Sequence, residues 1–367
     1  LLDRELEFLP DDETLLERSN ADEGLTLPEL SVLISYAKST LKGDLIASEV
    51  PDDPYIQSHL ERAFPSVLVE RFPNEMYEHR LKREIVATQI ANDLVDHMGI
   101  VFVRRLIDST GASRADTARA YIIARDSFNL DSLWQQIEAL DNKVDSQVQH
   151  RMMLDLMRLI RRATRWFLRH RTSLSTQDSI EHFAPRLAQL QESIGKRLRG
   201  DELAAWQERR DELVAANVPK SLANVIAGTR NLFAGLGIIE AARQTDEEIQ
   251  RVADIFYEIG HRLELPWMGE QVNALVVRDT WQAQARETFR DDLDRQQLSL
   301  SVSVLKMDDA PRDVASRVDH WFERHASLLE RWSSLLDEVR SGTQGGFPLF
   351  AVAIRELVDL AESNGTS

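Results

Sequence analysis

The sequence predicts an all-α protein, a multi-helix array of amphipathic helices in two subdomains. Three observations carry that expectation. Glycine and proline are scarce, 15 and 11 among 367 residues, well below their usual combined share of ~12 %, so tight turns must be few. Apolar residues recur at three- and four-residue intervals along most of the chain, the spacing of one helix face. Helix-start signals, a hydroxyl residue followed three positions later by a carboxylate, stand in front of several of these stripes.

The first clear element opens at Thr26-Leu27-Pro28-Glu29, a capping box in which Thr26 is the N-cap. Leu30, Leu33, Ile34, Ala37, Leu41 and Leu45 then form one stripe, and Pro51-Asp52-Asp53-Pro54 stops it. Pro65 and Pro73 punctuate short helices. A long helix is expected from Arg80 to about Ile107, with Ala87, Ile90, Ala91, Leu94 and Met98 on one face and Gly99 as a kink or division. Ser113 and Asp116 signal the next start, a helix through Tyr121 and Ile123, followed by one through Leu133, Ile137 and Leu140. From Ser146 to Arg171, Met153, Met157, Ile160, Thr164 and Phe167 mark a helix of about seven turns. The short polar stretch 172–176 is the expected boundary, giving an N-terminal helical subdomain over 1–171 and a C-terminal one over 172–367.

Beyond it, helices are expected near 185–199, 201–216, 219–229, 246–263, 279–305, 311–340 and 348–361. Thr245 to Glu248 reads as a further capping box, and Asn217-Val218-Pro219 as a stop. Residues 298–304 alternate Leu and Val with Ser at period two, the mark of a strand. The stripe Trp281, Ala285, Phe289, Leu293, Leu300 and Val304 continues through them, so helix is the expectation. A loop is expected over 341–346. In residues 311–340, Val314, Val318, Trp321, His325, Leu328, Trp332, Leu336 and Val339 form a near-heptad seam, against which 348–361 should fold as a hairpin.

Composition narrows the function classes. Acidic residues outnumber basic ones by 61 to 44, a formal charge of −17, which disfavours a nucleic-acid partner that needs a cationic face. The absence of cysteine excludes disulfides, thiolate metal ligands and thiol nucleophiles. No window approaches the roughly 18 uninterrupted apolar residues of a membrane span, so no membrane partner is expected. The chain begins at Leu1 without a signal-peptide pattern, which suggests a piece of a longer chain and a cytoplasmic location.

No constellation announces a catalytic or metal site. Gly228, Gly235 and Gly237 lie close together, but Glu240 stands where a dinucleotide fingerprint needs glycine, and no strand precedes them. A bend between helices is the expectation, with no cofactor bound in this stretch. The nine histidines never reach ligand spacing, and His320 and His325 project about 140° apart on a helix. Gln89, Asn92 and Asp96 form a polar stripe suited to interhelical hydrogen bonds or a ligand. Arg158, Arg161, Arg162, Arg165, Arg169 and Arg171 form the one dense basic face, with Trp166 inside it. That face is either an anion or partner surface or a solvated face paired with surplus carboxylates, and the net charge favours the second. Residues 103–126 look like a helix-turn-helix around Gly111, but Ala115, Ala118, Ala120 and Ile122 suit a packing face better.

Several longer runs carry a family resemblance. They include Gly24-Leu25-Thr26-Leu27-Pro28-Glu29-Leu30-Ser31-Val32-Leu33, His79-Arg80-Leu81-Lys82-Arg83-Glu84-Ile85-Val86-Ala87-Thr88-Gln89, Arg161-Arg162-Ala163-Thr164-Arg165-Trp166-Phe167-Leu168-Arg169 and Phe347-Pro348-Leu349-Phe350. Together they resemble the C-terminal region of the very large bacterial NAD-specific glutamate dehydrogenases, densely over 1–171 and more thinly to the end. The resemblance implies a parent enzyme that converts L-glutamate to 2-oxoglutarate and ammonium with NAD, its dehydrogenase domain lying before this stretch. It carries no catalytic or cofactor-binding residue onto any position here. The implied role is a helical appendage whose partners are the catalytic domain of the same polypeptide and, in a homo-oligomer, another protomer. The rival expectation is an autonomous nucleic-acid or anion-binding helical protein using the arginine face.

Overall fold

Every regular element among the described residues of the computed structural model is helical, and no strand occurs. The structure describes residues 3–170, 175–341 and 346–363. In order, the α-helices are α1 (Asp12–Asn20), α2 (Leu27–Ile46), α3 (Ser66–Arg71), α4 (Pro73–Tyr77), α5 (Lys82–Met98), α6 (Phe102–Thr110), α7 (Arg114–Ser127), α8 (Leu130–Glu138), α9 (Ser146–His170) and α10 (Thr176–Arg197). They continue as α11 (Gly200–Ala215), α12 (Lys220–Leu232), α13 (Gly235–Thr245), α14 (Ile249–Arg262), α15 (Leu265–Ala274), α16 (Thr280–Leu305), α17 (Val314–Arg324), α18 (Ala326–Ser341) and α19 (Gly346–Glu362). Two 3-10 helices, Val50–Asp52 and Ile56–Ala63, follow α2. The chain forms two compact units, one of residues up to Gln135 with Met153–Ala184, the other of Gln136–Met152 with the residues from Pro185 on. The boundary expected at 172–176 falls mainly on 171–174, outside the described residues.

In the first unit, the Thr26 amide donates to the Glu29 carboxylate at 2.7 Å, closing the capping box of α2. The apolar stripe of α2 behaves differently along its length: Leu41 and Leu45 are buried, whereas Leu30 and Ile34 are exposed. α5 is the central helix, packed by α2 and both 3-10 helices. Its expected face of Ala87, Ile90, Ala91, Leu94 and Met98 is buried. Gly99, at φ 80°, divides the long helix expected to Ile107 into α5 and α6, a backbone turn that a side chain would strain. Ser113 caps α7 by accepting from the Asp116 amide at 3.0 Å. On the part of α9 that belongs to this unit the buried side runs through Leu156, Leu159, Ile160, Ala163 and Phe167, so Met153 and Met157 sit beside the core rather than in it.

In the second unit, α16 is the axis on which α13, α14, α15, α17 and α19 pack. Residues 298–304 are helical within it, as expected. Their alternation arises because no side chain from Gln296 to Leu305 is exposed, so both sides of that helix segment can be apolar. Of its serines, Ser301 is buried and donates to the Gln297 carbonyl at 2.7 Å. At the other end of the stripe Trp281 is exposed.

Three expectations need correction. The helix expected over 311–340 is two helices, broken at His325, whose ring is held by the Trp321 carbonyl at 2.7 Å. Thr245 is no N-cap: it is the last residue of α13, its hydroxyl donating to the Ala241 carbonyl, and left-handed Asp246 makes the turn into α14. Helices α13 and α15 form where only connecting segments were expected. The α19 helix packs on α18, as expected for a hairpin, and also on α16. The loop expected before it lies mostly at 342–345, outside the described residues. No single described helix is long and apolar enough to cross a membrane; α12 and α13 suffice only as a pair bent by 62°, and their apolar residues are largely buried.

Candidate functional site

The densest polar chemistry of the first unit is gathered around Arg125, which is fully buried. α7 places Arg125 directly after the buried apolar run Tyr121-Ile122-Ile123-Ala124, and its guanidinium is buried in the core. There its Nη1 lies 2.5 Å from Asp93 Oδ2 of α5 and its Nε 2.7 Å from Asp126 Oδ1. Asp131 Oδ1 of α8 stands 3.5 Å from Nε, and Asp131 also pairs with Arg62. Nη2 lies 3.0 Å from His59 Nε2. The Tyr55 hydroxyl donates to Asp126 at 2.9 Å. Charges taken out of water this completely persist only when paired and hydrogen-bonded, and here they are.

Two histidines in this cluster are driven in opposite directions. Arginine can only donate, so His59 Nε2 accepts and the ring proton sits on Nδ1, which is buried without a partner. Burial, then the nearby Arg125 charge, pushes His59 down to about 3. His97 lies one turn beyond Asp93 on α5, with Nδ1 2.9 Å from Asp93 Oδ1, and stacks on Trp134 at 3.7 Å. Burial alone would lower its pKa, but the Asp93 bond and charge outweigh it and raise it. Asp93 itself, despite burial, is held at about 2 by His97 and Arg125. The arrangement can hold a proton on His97 and refuse one at His59. No hydroxyl donates to His97 among the described residues, so no nucleophile–base pair is assembled there.

The arginine face on α9 stands as follows. Arg158 is exposed and bonded to Asp155 at 3.0 Å. Arg161, Arg162 and Arg165 are partly buried and Arg169 is exposed. Each of these four has an interacting partner, so none offers a free charge. Trp166 turns toward α10, edge-on to Phe183 at 5.6 Å, and stacks on His170. Arg171 lies outside the described residues. Of the polar stripe on α5, Asp96 pairs with Lys38 of α2 at 2.6 Å, while Asn92 lines a shallow cleft of about 180 Å³ with Lys38, Lys42, Ser39 and Thr88.

The rival nucleic-acid reading finds no support in the hairpin of α6 and α7. From Thr117 to Ser127, α7 is buried on nearly all sides, leaving no face for a groove. Ser113 is engaged as the cap, and Arg114 pairs with Asp44 at 2.9 Å. The glycines at 228, 235 and 237 serve helix packing. A Cβ on Gly235 would meet Leu187 Cδ2 at 2.7 Å, and one on Gly237 would meet Leu298 at 3.0 Å. His325 stacks on Trp321 and is buried, and no group of three His, Asp or Glu placed to hold a metal occurs among the described residues.

Sequence reasoning missed the Arg125 cluster. Its members come from residues 55 to 134 and from separate elements, so no local spacing gathers them. The available signal was an arginine closing the apolar run 121–124, with Asp93 and His97 one turn apart on a neighbouring helix.

Comparison with known proteins places the whole chain. The family model described as glutamate dehydrogenase, C-terminal, matches residues 22–359. The chain is 70 % identical over 363 residues to an NAD-specific glutamate dehydrogenase of Halomonas elongata. It is 50 % identical over 364 residues to that of Pseudomonas aeruginosa and 32 % identical over 365 residues to that of Mycobacterium tuberculosis. Each alignment covers 99 % of this chain but 22 % of the relative's length.

Proposed function

From the premise that this chain belongs to the family of glutamate dehydrogenase C-terminal regions, we propose that it is a non-catalytic helical region of a much longer NAD-dependent glutamate dehydrogenase. The parent reaction would be the oxidative deamination of L-glutamate to 2-oxoglutarate and ammonium, in the cytoplasm. The region's own work would be packing on the catalytic part of the same polypeptide, assembling the homo-oligomer, or regulating it. The observation that carries this reading is the full-length match to relatives that are themselves more than four times longer. It is supported by what the glycines do: Gly228, Gly235 and Gly237 fill helix contacts instead of forming a phosphate-binding turn after a strand. The described arginines of that face already have interacting partners, which suits a structural or partner surface better than an anion site.

The test compares the whole polypeptide with the excised region. The whole polypeptide is expected to reduce NAD with L-glutamate. The excised 367 residues should do neither that nor give a calorimetric NAD isotherm at micromolar strength. Micromolar NAD binding by the excised region would overturn the reading.

A further inference from the structure

Six large apolar side chains crowd the first 34 residues in exposed positions: Leu6, Phe8, Leu16, Leu27, Leu30 and Ile34. Phe8 and Leu27 are 90 % and 81 % exposed. They belong to one substructure. Tyr36 of α2 donates to Glu7, Arg18 of α1 holds Glu29 with two bonds of 2.8 and 3.1 Å, and Arg4 pairs with Asp12. These ties clamp the N-terminal turn and α1 beside the front half of α2.

On α2 the spacing is informative. Leu27, Leu30 and Ile34 lie within about 60° of one another around the axis, in line with Leu41 and Leu45 further along. The rear of that stripe is buried in the first unit, and its front is uncovered. α1 has no buried residue at all, yet it is a regular helix with an Asp11 cap. The ties of α1 and the N-terminal turn reach Glu29 and Tyr36, on the side of α2 away from Leu27, Leu30 and Ile34. These three therefore form an exposed apolar stripe of their own beside a charged segment, which marks an interface.

We infer that this surface is the docking face for the preceding part of the same polypeptide, and that the mating surface is apolar with a rim of lysine or arginine. Two observations choose that occupant. Residues 1–30 carry ten acidic and two basic side chains, so the rim is strongly negative. A second copy would bring the same negative rim against it, and like charges facing each other oppose such a pairing. A preceding segment joined directly to this surface also has a high effective concentration there, on the order of millimolar for a short connection. More than three quarters of each relative lies outside the matched region, which is ample chain to supply the partner surface. The inference rests on the proposed function, because it takes this chain as the C-terminal region of a longer one.

The experiment uses the full-length dehydrogenase. Leu27 is replaced by the photo-cross-linker p-benzoylphenylalanine in a mixture of normal-isotope and nitrogen-15 chains, and carbene labelling of the wild type is read alongside. Cross-links within single chains to the preceding part are expected. Labelling of Leu27 should fall at least fivefold below that of the urea-unfolded protein, while Val276 and Trp281, exposed elsewhere, stay near unfolded levels. The double variant Leu30→Glu, Ile34→Glu should restore labelling of Leu27. Cross-links between differently labelled chains would replace this inference with a second-copy interface. An unprotected Leu27 in the wild type would overturn it outright. Glutamate-dependent NAD reduction by the same preparation separately tests the proposed function, so loss of one does not disguise loss of the other.

Discussion

Each unit buries an arginine, and the two solve the same problem with different partners. Arg125 of the first unit is surrounded by carboxylates, Asp93, Asp126 and Asp131, and its pKa is raised, their charge outweighing burial. Among the described residues, Arg317 of the second unit is bonded to no carboxylate. It donates to backbone carbonyls: Nε to Val304 at 2.8 Å, Nη2 to Leu305 at 2.8 Å and to Met307, and Nη1 to Ala310 and Pro311. Val304 and Leu305 end α16, where the last helical carbonyls lack partners and the helix dipole is negative. Its pKa is lowered, burial leading and the nearby Arg251 charge adding to it. The difference teaches that a buried guanidinium can be a hub for charge, which couples it to pH, or a cap for a helix, which ties it to chain geometry.

The largest expected effect breaks the first of these. Arg125→Met should leave three carboxylates without their common cation and cost about 3–5 kcal/mol, read by urea unfolding. A cost under about 1 kcal/mol would mean that the carboxylates protonate or reach water instead. Of similar size is the apolar counterpart in the second unit. Trp332 is buried and donates its indole N–H to the Leu263 carbonyl at 3.1 Å. Trp332→Ala should cost about 3–5 kcal/mol, and an unchanged thermal midpoint would contradict its burial. Next comes Arg317→Met, which strands the end of α16 and should cost about 2–3 kcal/mol. Adding a second change at Arg251 should not enlarge that loss if the carbonyl bonds carry it.

Smaller effects come through pH, and the units should respond with opposite sign. Asp93, lowered to about 2, contributes stability above the ordinary aspartate value and loses it as pH falls from about 4 toward 2. His59, lowered to about 3, costs stability as pH falls below 6.5, because the unfolded ring takes a proton that the folded one refuses. Acid therefore weakens the first unit. In the second, Glu202 is raised to about 7 by burial, against Arg230 and the Asn231 amide that donates to it at 2.8 Å. Its contribution is full below the ordinary glutamate value and is lost as pH rises toward 7. Glu202→Gln should stabilise that unit at pH 8 by about 1 kcal/mol, scaled down because the carboxylate is only partly buried, and change little at pH 4.5. Equal effects at both pH values would reject the raised carboxylate. The finest test is on His97: its imidazole resonances should titrate above 6.5 in the parent chain and lower in Asp93→Asn. There the carboxylate's bond and charge are gone, and burial is opposed only by the residue-93 carbonyl and the Asp131 charge.

What the sequence by itself determined is what neighbours along the chain decide. The all-α class, the caps at Thr26 and Ser113, the division at Gly99 and the helical state of 298–304 depend on side chains within one or two turns of each other, and all were legible. The family was legible too, because the runs that carry the resemblance, such as residues 79–89, are contiguous in the chain and can be read without any tertiary contact. What only the tertiary structure decided is which parts of a stripe meet another surface. Leu30 and Leu41 share one face of α2, yet one is exposed and the other buried, because burial depends on the helix that arrives opposite and not on periodicity. The break at His325 and the turn at Asp246 were hidden for a related reason: a seam or a capping pattern stays in phase across a single bent residue. The Arg125 cluster was the least legible of all. Its charges come from elements up to some seventy residues apart, and local patterns hold no information about which distant carboxylates a buried guanidinium will find.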